Sequence, residues 1–397
     1  MNEIKLRHLP LLIGIAVGAA VMTIPGRFHP VLAEQKPGSP PPANAAPAWP
    51  PVVQPNGHIH VADYGVIADG QDHTAQLQAI LDWMSASQLG VKGGGASTAM
   101  LEFDWGAVTA SGSWDNLPCI RMCGAGRGLT CGTMLVSGNS LATVHRNVQM
   151  DAAGNVTAIN NSTVPIEIDN MMINNNGAGH GMAFCGAHDA HFGRVKFQSR
   201  QKDGLFFPRL TFGGNDPIPN LQMAFYDCEA SQCGGAGIRG WGRLAIVNGA
   251  FIQNQTAFDL SGTIVGDLLR AEVNTQFGPS FGGASSAQGV INGMTMEKNG
   301  QTQLVLGKNT NHMVFNSVLA LDSRSTGSSR TGIDYLGNNC VFNASDVSGN
   351  YTTTAINLAQ FAGPTVMSAV TAGNAAGAAW TVAMDQAKLT ALQTNKP

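Results

Sequence analysis

From Gly181 onward the chain repeats one short pattern, a small residue followed by apolar positions, and separates the copies by segments rich in Asn, Gly and Ser. The copies read GMAF at Gly181, GLFF at Gly204, GIRG at Gly237, AFDL at Ala257, SFGG at Ser280, QLVL at Gln303, GIDY at Gly332 and AINL at Ala355. Successive starts lie 23, 33, 20, 23, 23, 29 and 23 residues apart, and the two long steps hold TFGGNDPIPN and DSRSTGSSR, which read as inserted loops. Other short apolar runs, such as LQMAFYDC and HMVFNSVLAL, lie between the copies. A unit this short cannot bury its apolar side chains alone, so coil must stack on coil. The pattern predicts an all-β chain, a parallel β-helix whose strands lie about 4.8 Å apart. A β-sandwich would need hairpin turns at short regular spacing, and these are not evident.

The stretch VADYGVIADGQDHTAQLQAILD, residues 61–82, follows a different period. It passes from an extended segment through a Gly/Asp turn into a helix that Asp72 can cap, with Leu77, Ile80, Leu81 and Met84 on one face. A solenoid's first coil exposes its core and strand edges, which invite association. The helix is therefore predicted to lie over that end as a cap, and its aspartates are structural.

The same stretch resembles the start of the pectate-lyase-like right-handed β-helix proteins, whose pattern runs roughly D-F-G-A-x-G-D-G-x-x-D-D-T-x-A-I-Q. GGGASTAMLEFDWG is similar to their glycine-rich turn and first core strand, and IRMCGAGRGLT to their G-x-G-R turn. Asp104 and Trp105 stand where that family often has Pro-Ala. The resemblance implies a right-handed helix and leaves activity open, because relatives include polysaccharide lyases, glycoside hydrolases, epimerases, tailspikes and binding proteins. Gly179-His180-Gly181 resembles the G-H-G element of polygalacturonases, but the paired aspartates and R-I-K that accompany it there are missing, so a turn role is expected for His180.

Composition supports the solenoid. The 397 residues include 49 Gly and only 12% charged residues, and Asn can ladder from coil to coil. Residues 1–33 read as a signal peptide, with basic residues, an apolar run too short for a typical span and Val31-Leu32-Ala33 before the cleavage point. An uncleaved membrane anchor is the alternative. Residues 34–57 read as a Pro/Ala-rich linker and residues 58–397 as one domain. A secreted, periplasmic or cell-surface location follows. The formal charge of -3 excludes the basic footprint that nucleic-acid binding needs. Seven cysteines in an exported chain allow up to three disulfides, with Cys119, Cys123 and Cys131 close together, as are Cys228 and Cys233. Their spacing does not suit zinc.

On a parallel stack, residues of equal phase become neighbours. His180 and Asp203 each precede the small residue and are expected one coil apart; Arg239 and Asp259 share the second position after it. Arg194, Lys196, Arg200, Lys202 and Arg209 place five cations within 16 residues, a surplus suited to an anionic polymer. Candidate catalytic residues are His180, Lys202, Asp203, Arg239 and Asp259, and candidate substrate-binding residues are Arg200, Arg209 and Trp241. Phe206 and Phe207 suit either sugar stacking or the core.

The chemistry expected is cleavage of an acidic polysaccharide, by β-elimination ahead of hydrolysis. Elimination needs a base, His180 or Lys202, and cations such as Arg239 and Arg200 for the developing charge. No cofactor or metal is indicated; calcium could share the stabilising role, yet no dense acidic cluster proposes a cage for it. Asp203 and Asp259 suit a hydrolytic pair only if the intervening chain brings them onto one groove. The alternative to an enzyme is a non-catalytic glycan-binding or surface-assembly β-helix.

Overall fold

The structure is a computed structural model describing residues 49–86, 99–110, 120–127, 132–138, 142–146, 148–152, 156–159, 164–185, 187–209, 221–283, 285–322, 331–358, 365–368, 370–374, 378–381 and 389–393. The expected signal peptide, the first inserted loop and residues 323–330 of the second lie outside these residues, whereas Asp322 ends the strand Thr310–Asp322.

Strands pair in parallel from coil to coil and build a right-handed parallel β-helix. Among the described residues the antiparallel pairing is the small ribbon of Val148–Met150 and Val156–Ile159. Three sheets run up the stack. The first contains His180–Phe184, Leu205–Phe207 and the start of Ala236–Val247, followed by the start of Thr256–Glu272, Phe277–Phe281 and Thr302–Leu306. The second contains Val164–Asp169, Ala187–Gly193 and Leu221–Tyr226 and continues through the middle of the long strands. The third includes Met172–Asn175, Lys196–Ser199 and Glu229–Ser231.

The repeated small residue marks one column of the first sheet: Met182 pairs with Leu205, which pairs with Ile238, so Gly181, Gly204 and Gly237 stack. A Cβ at Gly181 would lie 2.5 Å from the carbonyl oxygen of Gly204, and one at Gly237 2.6 Å from that of Ala257. At these two glycines backbone of the next coil leaves no room for a side chain, although Ala257 and Gln303 occupy the same column in later coils. One phase differs from the sequence pattern. Thr256 pairs with Phe277, which puts Gly278 in the small-residue column and Ser280 beside Asp259.

A second repeated device turns each coil from the second sheet to the third. Asn170, Arg194, Asp227, Asn248, Leu268, Ser317 and Ala344 all have φ between 47° and 59°, and each occupies the same corner. One left-handed residue re-aims the strand, while the amide still bonds to the next coil, as Asn248 N does to Asp267 O at 2.9 Å.

Inside, Phe184 stacks on Phe207 at 5.3 Å, and Phe258, Phe281, Phe315 and Phe342 continue an aromatic column. The expected asparagine ladder is present and buried: Asn254 N donates to Asn274 Oδ1 at 2.9 Å, and Asn274 Nδ2 donates to Asn299 Oδ1 at 2.7 Å. Their amides also donate to main-chain carbonyls of Ala230, Phe251 and Ala271, satisfying polar groups that the corner would otherwise strand.

The cap helix spans Thr74–Ala86. Asp72 Oδ1 accepts from Thr74 N at 3.0 Å and from Thr74 Oγ1 at 2.6 Å. Leu77, Ile80, Leu81 and Met84 are buried in one apolar cluster with Ile59 and Leu101 of the first strands. Among the described residues no helix is long and apolar enough to cross a membrane.

Of the disulfides that the cysteine count allows, none joins Cys228 to Cys233; both thiols are free and buried, as is that of Cys340. Cys228 and Cys233 flank the extended strand Glu229–Ser231. From Cys228 to Ser231 the extended chain advances about 10 Å before Gln232 turns it, which holds the pair beyond the reach of a disulfide. Burial pushes the Cys228 thiol up to about 11 and that of Cys233 to about 12. Cys123 is also free, whereas Cys119 and Cys131 lie outside the described residues.

Candidate active site

The outer rungs of the first sheet set the site. Ala183 pairs with Phe206, Phe206 with Arg239, Arg239 with Asp259, and Asp259 with Ser280. His180 opens its strand one coil below Asp203, as the phase argument requires: Gly181 N donates to Asp203 O at 3.1 Å. His180 is thus a buried strand residue facing the site, which corrects its expected role in a turn.

One guanidinium joins the acidic residues. Arg239 Nη2 lies 3.5 Å from Asp203 Oδ1, and Arg239 Nε lies 3.9 Å from Asp259 Oδ2. Nε finds no hydrogen-bond acceptor among the described residues. His180 Nδ1 approaches the other Asp203 oxygen at 3.5 Å, and its ring stacks on Phe206 with centroids 4.5 Å apart.

Asp203 is almost fully buried, with 7% of its side chain exposed. Burial holds its carboxyl above the usual carboxylate range; the Arg239 charge and the Ala236 N–H, which donates to Oδ1 at 2.7 Å, pull it partly back. Gly235 makes room for this carboxyl, because a Cβ there would collide with Asp203 Oδ1. Asp259 is more open, with 31% of its side chain exposed, and accepts from Ser280 Oγ at 3.3 Å. The two acids therefore have unlike surroundings, the arrangement by which carboxyl groups divide acid and base roles.

A groove runs across these rungs in two lobes that share Phe206, Pro208 and Arg239. The first, ≈ 390 Å³, is lined by His180, Lys202 and Asp203. The second, ≈ 360 Å³, is lined by Arg209, Trp241 and Asp259. The Arg209 guanidinium lies 5.2 Å from the centre of the Trp241 ring, within cation–π range, and Nη1 reaches Ser285 Oγ at 3.4 Å.

Seven of the eight sequence candidates thus meet in one groove. The eighth, Arg200, is exposed and does not line either lobe. The five-cation surplus also divides: Arg194 pairs with Asp169 at 2.6 Å and Lys196 with Glu229 at 2.8 Å, both away from the groove, leaving Lys202 and Arg209 at it. Phe207 belongs to the core, whereas Phe206 is half-buried and lines both lobes. Sequence phasing missed Ser280, Ser261 and Gln255. Among the described residues no group of three or more His, Cys, Asp or Glu is arranged to hold a metal ion.

No protein-family model matches the chain, and no curated protein matches it. Solved structures of similar shape include the A-module of mannuronan C-5 epimerase AlgE4 from Azotobacter vinelandii, at 12% identity and a TM-score of 0.46, covering 82% of this chain and 97% of that one. The surface adhesin PfbA of Streptococcus pneumoniae matches at 11% identity and 0.43, covering 81% and 93% respectively. A GH87 α-1,3-glucanase catalytic domain in complex with tetrasaccharides matches at 12% and 0.43, covering 86% of this chain and 68% of that one.

Proposed function

We propose that this protein is an exported glycan-cleaving enzyme that hydrolyses an acidic polysaccharide laid across the groove, with Asp203 and Asp259 as the working pair. The observation that carries the reading is the single Arg239 guanidinium reaching both carboxyl groups. It meets the condition under which these residues suit hydrolysis, a shared groove, and moves hydrolysis ahead of elimination.

Asp203, whose burial favours the protonated form, gives its proton to the glycosidic oxygen as the bond to the anomeric carbon breaks. Asp259, more open to water, accepts a proton from the attacking water on the opposite side of the ring. Inverting enzymes hold such a pair about 6.5–9.5 Å apart, which leaves room for that water. Arg239 binds the sugar carboxylate and offsets the charge on Asp259. Trp241 supplies a flat face for a neighbouring sugar. Lys202, Arg209 and Arg239 outnumber Asp259 when Asp203 carries its proton, which favours an anionic chain.

Elimination is the second reading, favoured by His180 beside Lys202 in the first lobe. His180 would then take the proton next to the uronate carboxylate that Arg239 neutralises.

The test incubates the secreted protein with a panel of uronate polymers. New reducing ends without unsaturated ends are expected. Unsaturated ends would establish elimination in place of hydrolysis; retention on a polymer without shortening would identify a non-catalytic glycan binder.

A further inference from the structure

The outer face of the second sheet carries an apolar column that the groove does not use. Val265, Val290, Val314, Val341 and Val366 pair in successive coils, each directly beneath the next. They alternate with inward residues such as Ile291, Phe315 and Phe342, so these valines face outward. The end residues Val265 and Val366 are 49% and 38% exposed.

The neighbouring columns are polar and nearly uncharged, with Asp267 beside Val265 at one end the exception. On one side Asn292, Asn316 and Asn343 hydrogen-bond to one another, Asn316 Nδ2 to Asn292 Oδ1 at 2.8 Å and Asn343 Nδ2 to Asn316 Oδ1 at 2.9 Å. On the other stand Gln288 and His312. The third sheet differs in the coils of Val265 and Val290, where its outer side bears ion pairs, Arg270 with Glu272 and Lys298 with Glu297, although Leu319 in the next coil is 40% exposed. Strand propensity favours valine anywhere on a sheet, but it does not explain a contrast between two outer faces of the same coils.

We infer that this valine face docks a second copy of the chain. A partner must bury side chains repeating at about 4.8 Å and offer little charge, and an identical column has that spacing and composition. Five coils and three side-chain columns cover roughly 1,000 Å² over both copies, near the lower bound for a specific interface. A two-fold arrangement is self-complementary. Whether the two stacks run parallel or antiparallel, Val314 at the middle of the column faces its own counterpart.

Sedimentation of the full secreted chain at micromolar concentration tests this. The wild type is expected to run as a dimer and Val314→Lys as a monomer with an unchanged circular-dichroism spectrum. Thr295→Lys, on the outer face of the third sheet, should remain a dimer. Val314→Cys should cross-link two chains on mild oxidation, and this decides the matter if the lysine variant fails to fold. A monomeric wild type, a dimeric Val314→Lys or no cross-link through Val314→Cys would overturn the inference.

Discussion

Leu81→Asp is expected to cost several kcal/mol of stability and to reduce the yield of folded protein sharply. Leu81 is 3% exposed and lies in the cluster that joins the cap helix to the first coil. A carboxylate there would lose its water among apolar side chains, and burial of an unpaired charge is among the most damaging single changes. The helix itself tolerates aspartate at modest cost, so the effect would arise from packing over the core. Thermal melting of the purified variant reads it directly. A wild-type midpoint would mean that the helix does not seal the end of the stack.

Arg239→Ala should lower kcat/KM on the cleaved polymer by about 10²–10³ through lost stabilisation of developing charge, with little change in melting temperature. The side chain is 43% exposed on the outer face of the first sheet, so its loss opens no core cavity. Two effects combine. The substrate carboxylate loses its partner, and Asp203 loses the cation that moderates its raised proton affinity. Arg239→Lys should recover part of the activity, since charge returns without the planar fork that reaches both carboxyl groups. Equal losses in activity and melting temperature would instead indicate a structural role.

The sequence makes the fold and half the site readable for one reason: a parallel stack converts spacing along the chain into proximity. His180 with Asp203, and Arg239 with Asp259, follow from counting positions around the small residue that backbone crowding enforces. The same count places Ser280 wrongly, because Ser280-Phe281 copies the motif while Gly278, followed by Pro279, holds the actual phase. Only the main-chain register distinguishes them. The five cations fail differently. Arg194 stands at a left-handed corner and Lys196 on the third sheet, so sequence neighbours point away from the groove. Nor can spacing reveal that one guanidinium reaches back from its own rung to Asp203. The cysteine count leaves pairing open, and for Cys228 and Cys233 closeness in sequence becomes distance along an extended strand.

The carboxyl pair is the centre of the account, and separate Asp203→Asn and Asp259→Asn variants test it most directly. Each is isosteric, and neither should disturb the rungs. Assayed as folded protein on a polymer that the wild type shortens, each is expected to lose about 10²–10⁴-fold in kcat, the usual contribution of an acid or base. Retained cleavage in both, with loss in Arg239→Ala, would contradict hydrolysis by this pair and leave elimination as the chemistry of the groove.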